Sequence, residues 1–258
     1  MGILNITPDS FSDGGKFNKK KLAYLHAVNL VKNGSSIIDI GGESTRPGAK
    51  EVESNIEWKR ISQTLNQLKK KNYLISIDTR KSEIMEKGIK YGVKIINDVS
   101  AFNHDCNSIK ILKKYKIPFV LHHMKQNPET MQKNPKYNNV LLDIYDFFEK
   151  KINEIRSNGI KHNNIIIDPG IGFGKNLKHN ITLISNISIF HSLGFPVMLG
   201  ISRKKFIKEI SRNNDSSERL GGTISSSLYA MMQGVQILRV HDVNEVNQSI
   251  KVFKSLNY

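Results

Sequence analysis

Short apolar runs recur along the chain, and each closes on polar residues: MGILNIT (1–7), IIDIGG (37–42), LISIDT (74–79), IINDVS (95–100), FVLHHM (119–124), IIIDPG (165–170), VMLGIS (197–202) and ILRVHD (237–242). Near-continuous apolar character, rather than strict alternation, marks strands covered on both faces, as in a parallel sheet. Helical spacing fills the intervals. Leu22, Leu25 and Val28 predict one helix, stopped at Asn33-Gly34, and Ile61, Leu65 and Leu68 predict the next. Asp215 with Glu218, and Asp242 with Glu245, have the spacing of capped helix starts. Eight strand–helix alternations predict an α/β fold, a single (β/α)8 TIM barrel over residues 1–258, with a doubly wound open sheet as the rival topology. No linker, repeat or low-complexity block divides the chain, and 125–139, with Pro128 and Pro135, reads as a surface connection.

The run endings carry the next inference. Asn5, Asp39, Asp78, Asn97, His123, Asp168, Ser202-Arg203-Lys204, Arg239 and His241 stand at or near them. Any one of these alone is a turn residue or a helix cap. All of them together converge on one barrel mouth, the face where such barrels carry their sites.

Asp78, Asn97 and Asp168 suit a flat heterocycle that presents several N–H donors, since a carboxylate accepts two parallel charge-assisted bonds. Arg46, Arg203, Lys204, Arg239 and His241 form a cationic side suited to phosphate or pyrophosphate. Pyrophosphate usually travels with Mg²⁺, which prefers oxygen ligands and keeps waters, so Asn5 is a candidate single protein ligand as well as an ordinary strand-end amide. Gly170–Lys175 (GIGFGK) lacks the spacing and the terminal Lys-Ser/Thr of a Walker loop. Residues 9–16 and 44–50 read as loops able to close over a substrate. Trp58 reads as helix packing, and adjacent His122 and His123 point to opposite strand faces, which excludes them as a metal pair.

Composition adjusts this picture only at its edges. The net charge is +16 over 258 residues, but the lysines lie in scattered clusters such as Lys19-Lys20-Lys21 and Lys69-Lys70-Lys71, without interleaved aromatics. They read as solvated helix faces rather than as a nucleic-acid surface. No run of 18 apolar residues predicts a membrane span, and no secretory leader is expected. The lone Cys106 forbids an intrachain disulfide and fits a reducing compartment.

MGILNITPDSFSDGG (1–15), IIDIGGESTRPGA (37–49), SIDT (76–79), IINDVSA (95–101), NPETMQ (127–132), IIIDPGIGFGKNLKHN (165–180), GISRKKF (200–206), SSERLGG (216–222) and RVHD (239–242) together resemble the dihydropteroate synthases over essentially the whole length. The resemblance implies a barrel that condenses 6-hydroxymethyl-7,8-dihydropterin pyrophosphate with 4-aminobenzoate in folate biosynthesis. It places Asp78, Asn97, Asp168, Phe173 and Lys204 on the pterin, and Asn5, Arg46, Arg239 and His241 on the pyrophosphate and Mg²⁺. Phe11, Thr45, Pro47 and Ser202 fall on the arylamine side, and Asp13 and Arg46 organise the closed site. Asp78, Asp168, Lys204, Arg46 and Asp13 make up the implied catalytic set. A cytoplasmic homodimer is also implied.

The chain departs from that pattern in two places. Met1 opens the first strand, where the family usually has a short preceding segment that covers the barrel bottom. His122 stands where the family usually has Met, and Met124-Lys125-Gln126 replaces Met-Gln-Gly. These changes alter contacts under the pterin and touch no charged catalytic position. A pterin-binding methyltransferase domain shares the Asp/Asn set but has no need of STRPG or SRK. A basic nucleic-acid-binding protein is the reading from a different class, and it predicts a steep loss of oligonucleotide affinity with salt.

Overall fold

The computed structural model describes residues 1–7, 16–46, 48–212 and 215–256, with only the backbone of 16–20. All the predicted runs form strands: β1 (Gly2–Asn5), β2 (Ile38–Gly41), β3 (Ile75–Asp78), β4 (Ile95–Asp98), β5 (Phe119–His122), β6 (Ile165–Asp168), β7 (Met198–Leu199) and β8 (Ile237–Leu238). β1 to β6 pair in parallel in chain order, and β7 pairs with β8. Parallel bridges from Ile167 to Val197 and from Gly2 to Val240 join the two sheets at both edges, so the barrel closes. The rival open sheet is thereby excluded.

Helices α1 (Lys16–Lys32), α2 (Ser54–Leu68), α3 (Ser82–Lys90), α4 (Ser108–Tyr115), α5 (Val140–Ser157) and α6 (Leu177–Ser185) connect the first seven strands. α7 (Lys205–Ser211) and α8 (Leu220–Met232) lie between β7 and β8, and α9 (Val243–Leu256) follows. Residues 125–139 contain neither helix nor strand, as expected. No helix among the described residues is long and apolar enough to cross a membrane.

Strand alternation sorts the side chains. One phase, including Leu4, Ile38, Ile40, Ile77, Ile96, Phe119, Leu121, Ile167 and Leu199, faces the helices in one large core. The other phase points into the barrel, where Ile95, Val120, Ile166 and Met198 pack with Met1, Ile37 and Ile237 in a separate apolar layer. Two residues further along the same strands stand Asp39, Asn97, His122, Asp168, Gly200 and Arg239. The polar layer thus lies directly on the apolar one.

Three local expectations change. Leu22 and Leu25 are 40% and 49% exposed, whereas Ala23, Ala27 and Leu30 are buried, so α1 turns its small residues inward. The spacing is helical, but it selects the outer side. Asp215 accepts from the Ser217 amide (2.8 Å) in the turn ahead of a 3₁₀ segment, Ser217–Arg219, rather than opening α8. Asp242 precedes α9, but its carboxylate accepts from Arg203 Nε (2.9 Å). Ile61, Leu65 and Leu68 are fully buried as predicted, and Trp58 packs edge-on against Tyr91 (5.1 Å).

Candidate active site

Above the apolar layer, Thr45, Asp78, Asn97, His122, Asp168, Phe173, Lys204 and Arg239 line one pocket, together with Val99, Met198 and Gly200. Its base is a chain of interior polar groups. Asn97 Nδ2 donates to Asp39 Oδ2 (3.0 Å). Arg239 Nε donates to the same oxygen (2.6 Å) and its Nη2 donates to Asp78 Oδ2 (2.8 Å). These bonds fix every orientation, including the Asn97 amide, whose nitrogen goes to the carboxylate and whose oxygen is left over. Asp39 Oδ1, Asp78 Oδ1 and Asn97 Oδ1 are all buried and have no hydrogen-bond partner in the protein. A buried acceptor without a donor costs about 1–3 kcal/mol, so the two on the lining residues Asp78 and Asn97 call for a ligand rich in N–H groups.

The electrostatics match. Burial raises Asp78 to about 7 against the attraction of Arg239. Burial likewise raises Asp168 to about 6, opposed by the Gly170 amide and by Lys204. Burial lowers Lys204 to about 8, with Asp168 opposing. Arg239 stays cationic because the attraction of Asp39 and Asp78 outweighs its burial. The pocket therefore holds acids and a base whose charges respond near neutral pH, a common property of active sites.

The loop after β6 forms the pocket's lip. Gly170 and Gly174 have φ of +71° and +65°. A side chain on Gly170 would run into His123 O at 1.9 Å, and one on Gly174 into Lys125 Cβ at 2.8 Å. Only glycine fits such positions. Asp168 Oδ1 accepts from the Gly170 amide (2.8 Å), so this residue caps its turn and faces the pocket at once. Lys175 is buried beneath the loop, with Nζ on Phe173 O (2.9 Å) and His123 Nδ1 (2.9 Å), and contacts no phosphate site. Phe173 lies edge-on to His122 (4.5 Å) and under Lys204 Nζ (4.1 Å). His122 faces the pocket and His123 faces away toward Phe147, as strand alternation requires.

Other predicted residues surround this pocket. Ser202 Oγ accepts from the His241 backbone amide (3.1 Å) and lies 3.1 Å from His241 Nδ1. Burial, with Arg239 and Arg203, lowers His241 to about 3, so its ring is neutral. Asn5 ends β1, with Oδ1 3.6 Å from the point where a Gly41 side chain would begin. Arg46 is exposed and does not line the pocket. Arg203 pairs its guanidinium with Asp242 and is not among the residues that line the pocket. Arg239, expected at the pyrophosphate, lines the pocket and pairs there through Nε and Nη2 with Asp39 and Asp78. Phe11, Asp13 and Pro47 lie outside the described residues.

Asp39, which the sequence reading placed at a run ending without a role, bonds the pocket residues Asn97 and Arg239, and His122, which it noted only as a departure from the family pattern, lines the pocket wall. The available signal was the period of two: Asp39 shares the phase of Ile37, and His122 that of Val120. Among the described residues, no group of three or more His, Cys, Asp or Glu side chains could hold a metal ion.

A family model described as pterin binding enzyme matches residues 1–241. The dihydropteroate synthase of Escherichia coli (strain K12) is 40% identical over 256 residues, covering 99% of this chain and 90% of that protein. The structure of Xanthomonas albilineans dihydropteroate synthase with 4-aminobenzoic acid superposes with a TM-score of 0.94 at 34% identity, over 100% of this chain and 92% of that one. The same enzyme in complex with 7,8-dihydropteroate gives 0.90 at 31% identity, over 100% and 92%.

Proposed function

The chain belongs to the pterin-binding enzyme family, and from that premise we propose that it condenses 6-hydroxymethyl-7,8-dihydropterin pyrophosphate with 4-aminobenzoate, giving 7,8-dihydropteroate and pyrophosphate. The observation that carries this reading is the pair of unpartnered acceptors, Asp78 Oδ1 and Asn97 Oδ1, on residues that line one pocket beside Lys204. A pterin supplies ring N–H and amino donors for the acceptors and a carbonyl for the ammonium. Phe173, His122, Met198 and Gly200 line the same pocket and offer surface for the pterin plane.

The reaction then follows from charge placement. The bond between the pterin methylene and the pyrophosphate oxygen breaks, and its electron pair leaves with the pyrophosphate. The methylene cation that results is delocalised into the ring. Asp78 and Asp168, ionised once the ring donors are bound, stabilise that charge from fixed positions. His241 and Arg46 stand on the side assigned to the leaving group. The amine lone pair of 4-aminobenzoate forms the new C–N bond and its proton passes to water. No enzyme nucleophile is needed. Asn5 would hold Mg²⁺ together with pyrophosphate oxygens, and the ion would supply charge neutralisation of the leaving group.

Phe11, Thr45, Pro47 and Ser202 take the arylamine side of this reading, with Asp13 and Arg46 closing the site. Pyrophosphate release that requires both substrates tests the reaction, and release with neither added arylamine nor any acceptor dependence overturns it. A mixed-sequence oligonucleotide titrated at rising salt tests the basic-surface reading, for which the scattered lysines give no support. A cytoplasmic homodimer, with no nucleic-acid or membrane partner, completes the proposal. Sedimentation equilibrium and cell fractionation check its two parts.

A further inference from the structure

Four buried charges meet where the chain beyond β2 crosses the chain beyond β3. Glu43, Glu57, Arg80 and Lys81 are each less than a tenth exposed. Glu43 Oε1 accepts from Arg80 Nε (3.1 Å) and Nη2 (2.5 Å), and Oε2 accepts from Lys81 Nζ (2.5 Å). Lys81 Nζ also donates to Glu57 Oε2 (2.7 Å), so two anions balance two cations. Burial alone would raise the Glu43 carboxyl, but the bonds from Lys81, Val52 and Arg80 hold it below its ordinary value, so it is ionised at neutral pH.

A buried ionic cluster adds little stability over apolar residues of equal volume. What it does supply is direction, because charged hydrogen bonds fix angle and distance as apolar contacts do not. Its location is therefore informative. Glu43 precedes the pocket residue Thr45 by two positions, and Arg80 follows Asp78 by two. Glu43 Oε2 also accepts the Val52 amide (2.9 Å), which joins the two stems of the 44–50 loop. Gly42 is pinned below, with its carbonyl accepting from Arg60 Nη1 (2.7 Å) and Glu57 O within 2.9 Å of any side chain it could carry.

We propose that Glu43 is a positioning residue of the arylamine end: its carboxylate clasps both stems of the 44–50 loop to the segment that follows Asp78, and so sets Thr45 at a fixed distance from the bound pterin. The proposal rests on the reaction assigned above. Glu43 touches no substrate and acts through the loop.

Glu43→Met keeps the length and removes every acceptor. It should raise KM for 4-aminobenzoate by about tenfold or more while the pterin pyrophosphate Kd stays within about twofold. The single variant also strands a cation, so Glu43→Met with Arg80→Met restores charge balance in apolar form. In that double variant the unfolding midpoint should return toward wild type while KM stays high, because the Val52 amide is still unclasped. A KM that recovers together with stability, a KM unchanged in both variants, or a pterin Kd that worsens as much as KM would each overturn the proposal. If the wild type releases no pyrophosphate from these substrates, the reaction reading fails. The clasp is then scored by hydrogen exchange at the amides of 44–46, 48–50 and 52, which should quicken by about tenfold in the variants. Unchanged exchange there refutes the clasp.

Discussion

Replacing Arg239 with methionine should destabilise the protein in a way that grows with pH. Its guanidinium bonds Asp39 Oδ2 at 2.6 Å and Asp78 Oδ2 at 2.8 Å, and both carboxylates are almost wholly buried. Removing one partner of a buried ion pair costs about 3–5 kcal/mol. Arg239 retains 20% side-chain exposure, which puts the expected cost near about 3 kcal/mol at alkaline pH. The sign follows from Asp78. Its pKa in the folded protein is raised from 3.8 to about 7, so between those values the native state binds a proton that the unfolded chain does not. Stability from this group is therefore full below pH 3.8 and is lost as pH rises to about 7, after which it levels off. Without Arg239 the pKa rises further, and the loss continues above pH 7 at about 1.4 kcal/mol per unit. Urea unfolding of wild type and Arg239→Met at pH 6.5 and 8.5 checks this, and the gap between them should widen by about 1–2 kcal/mol at the higher pH. A phosphate-free pterin should also bind the variant less well, since a protonated Asp78 offers a donor where the ring needs an acceptor. A gap equal at both pH values, with pterin affinity unchanged, would refute the assignment of Arg239 to the pocket base.

Asp168→Asn should weaken pterin binding about tenfold: its oxygen stays on the Gly170 amide, its new N–H₂ faces the ring donors, and a mispaired buried group costs about 1–3 kcal/mol. Calorimetry giving an affinity within twofold of wild type would remove Asp168 from the pterin. Pterin affinity should follow a bell in pH, falling on the acid side as Asp168 and Asp78 protonate near 6 and 7, and on the alkaline side as Lys204 loses its proton near 8. A flat profile from pH 5.5 to 8.5, measured by fluorescence titration, contradicts those charge states. Because the pterin pocket stands on strand ends while Thr45 stands on a loop, pterin pyrophosphate should bind the free protein and 4-aminobenzoate only afterwards. Tight 4-aminobenzoate binding to the free protein would exclude this order.

The sequence by itself determined the eight strands and where they end. Buried parallel strands have a local signature, a short apolar run closed by polar residues, and IIID at 165–168 shows it without any partner. It also determined that Asp78, Asn97, Asp168 and Lys204 share one mouth, because the ends of successive parallel strands must lie on the same side of a barrel. Tertiary structure alone decided who meets whom. Arg239 and Asp39 are 200 residues apart and touch only because β8 closes onto β1. That closure pairs the guanidinium of Arg239 with Asp39, and Asp242 likewise pairs with Arg203, a residue distant in sequence. The inward face of α1 fell to Ala23, Ala27 and Leu30 rather than to the larger Leu22 and Leu25. Glu43 with Lys81, and Lys175 beneath its own loop, likewise give no local sign of burial. The physical reason is common to all of these. Spacing along a chain fixes the phase of a side chain within its own element, whereas its partner, and hence its charge state and role, depends on which distant element packs opposite.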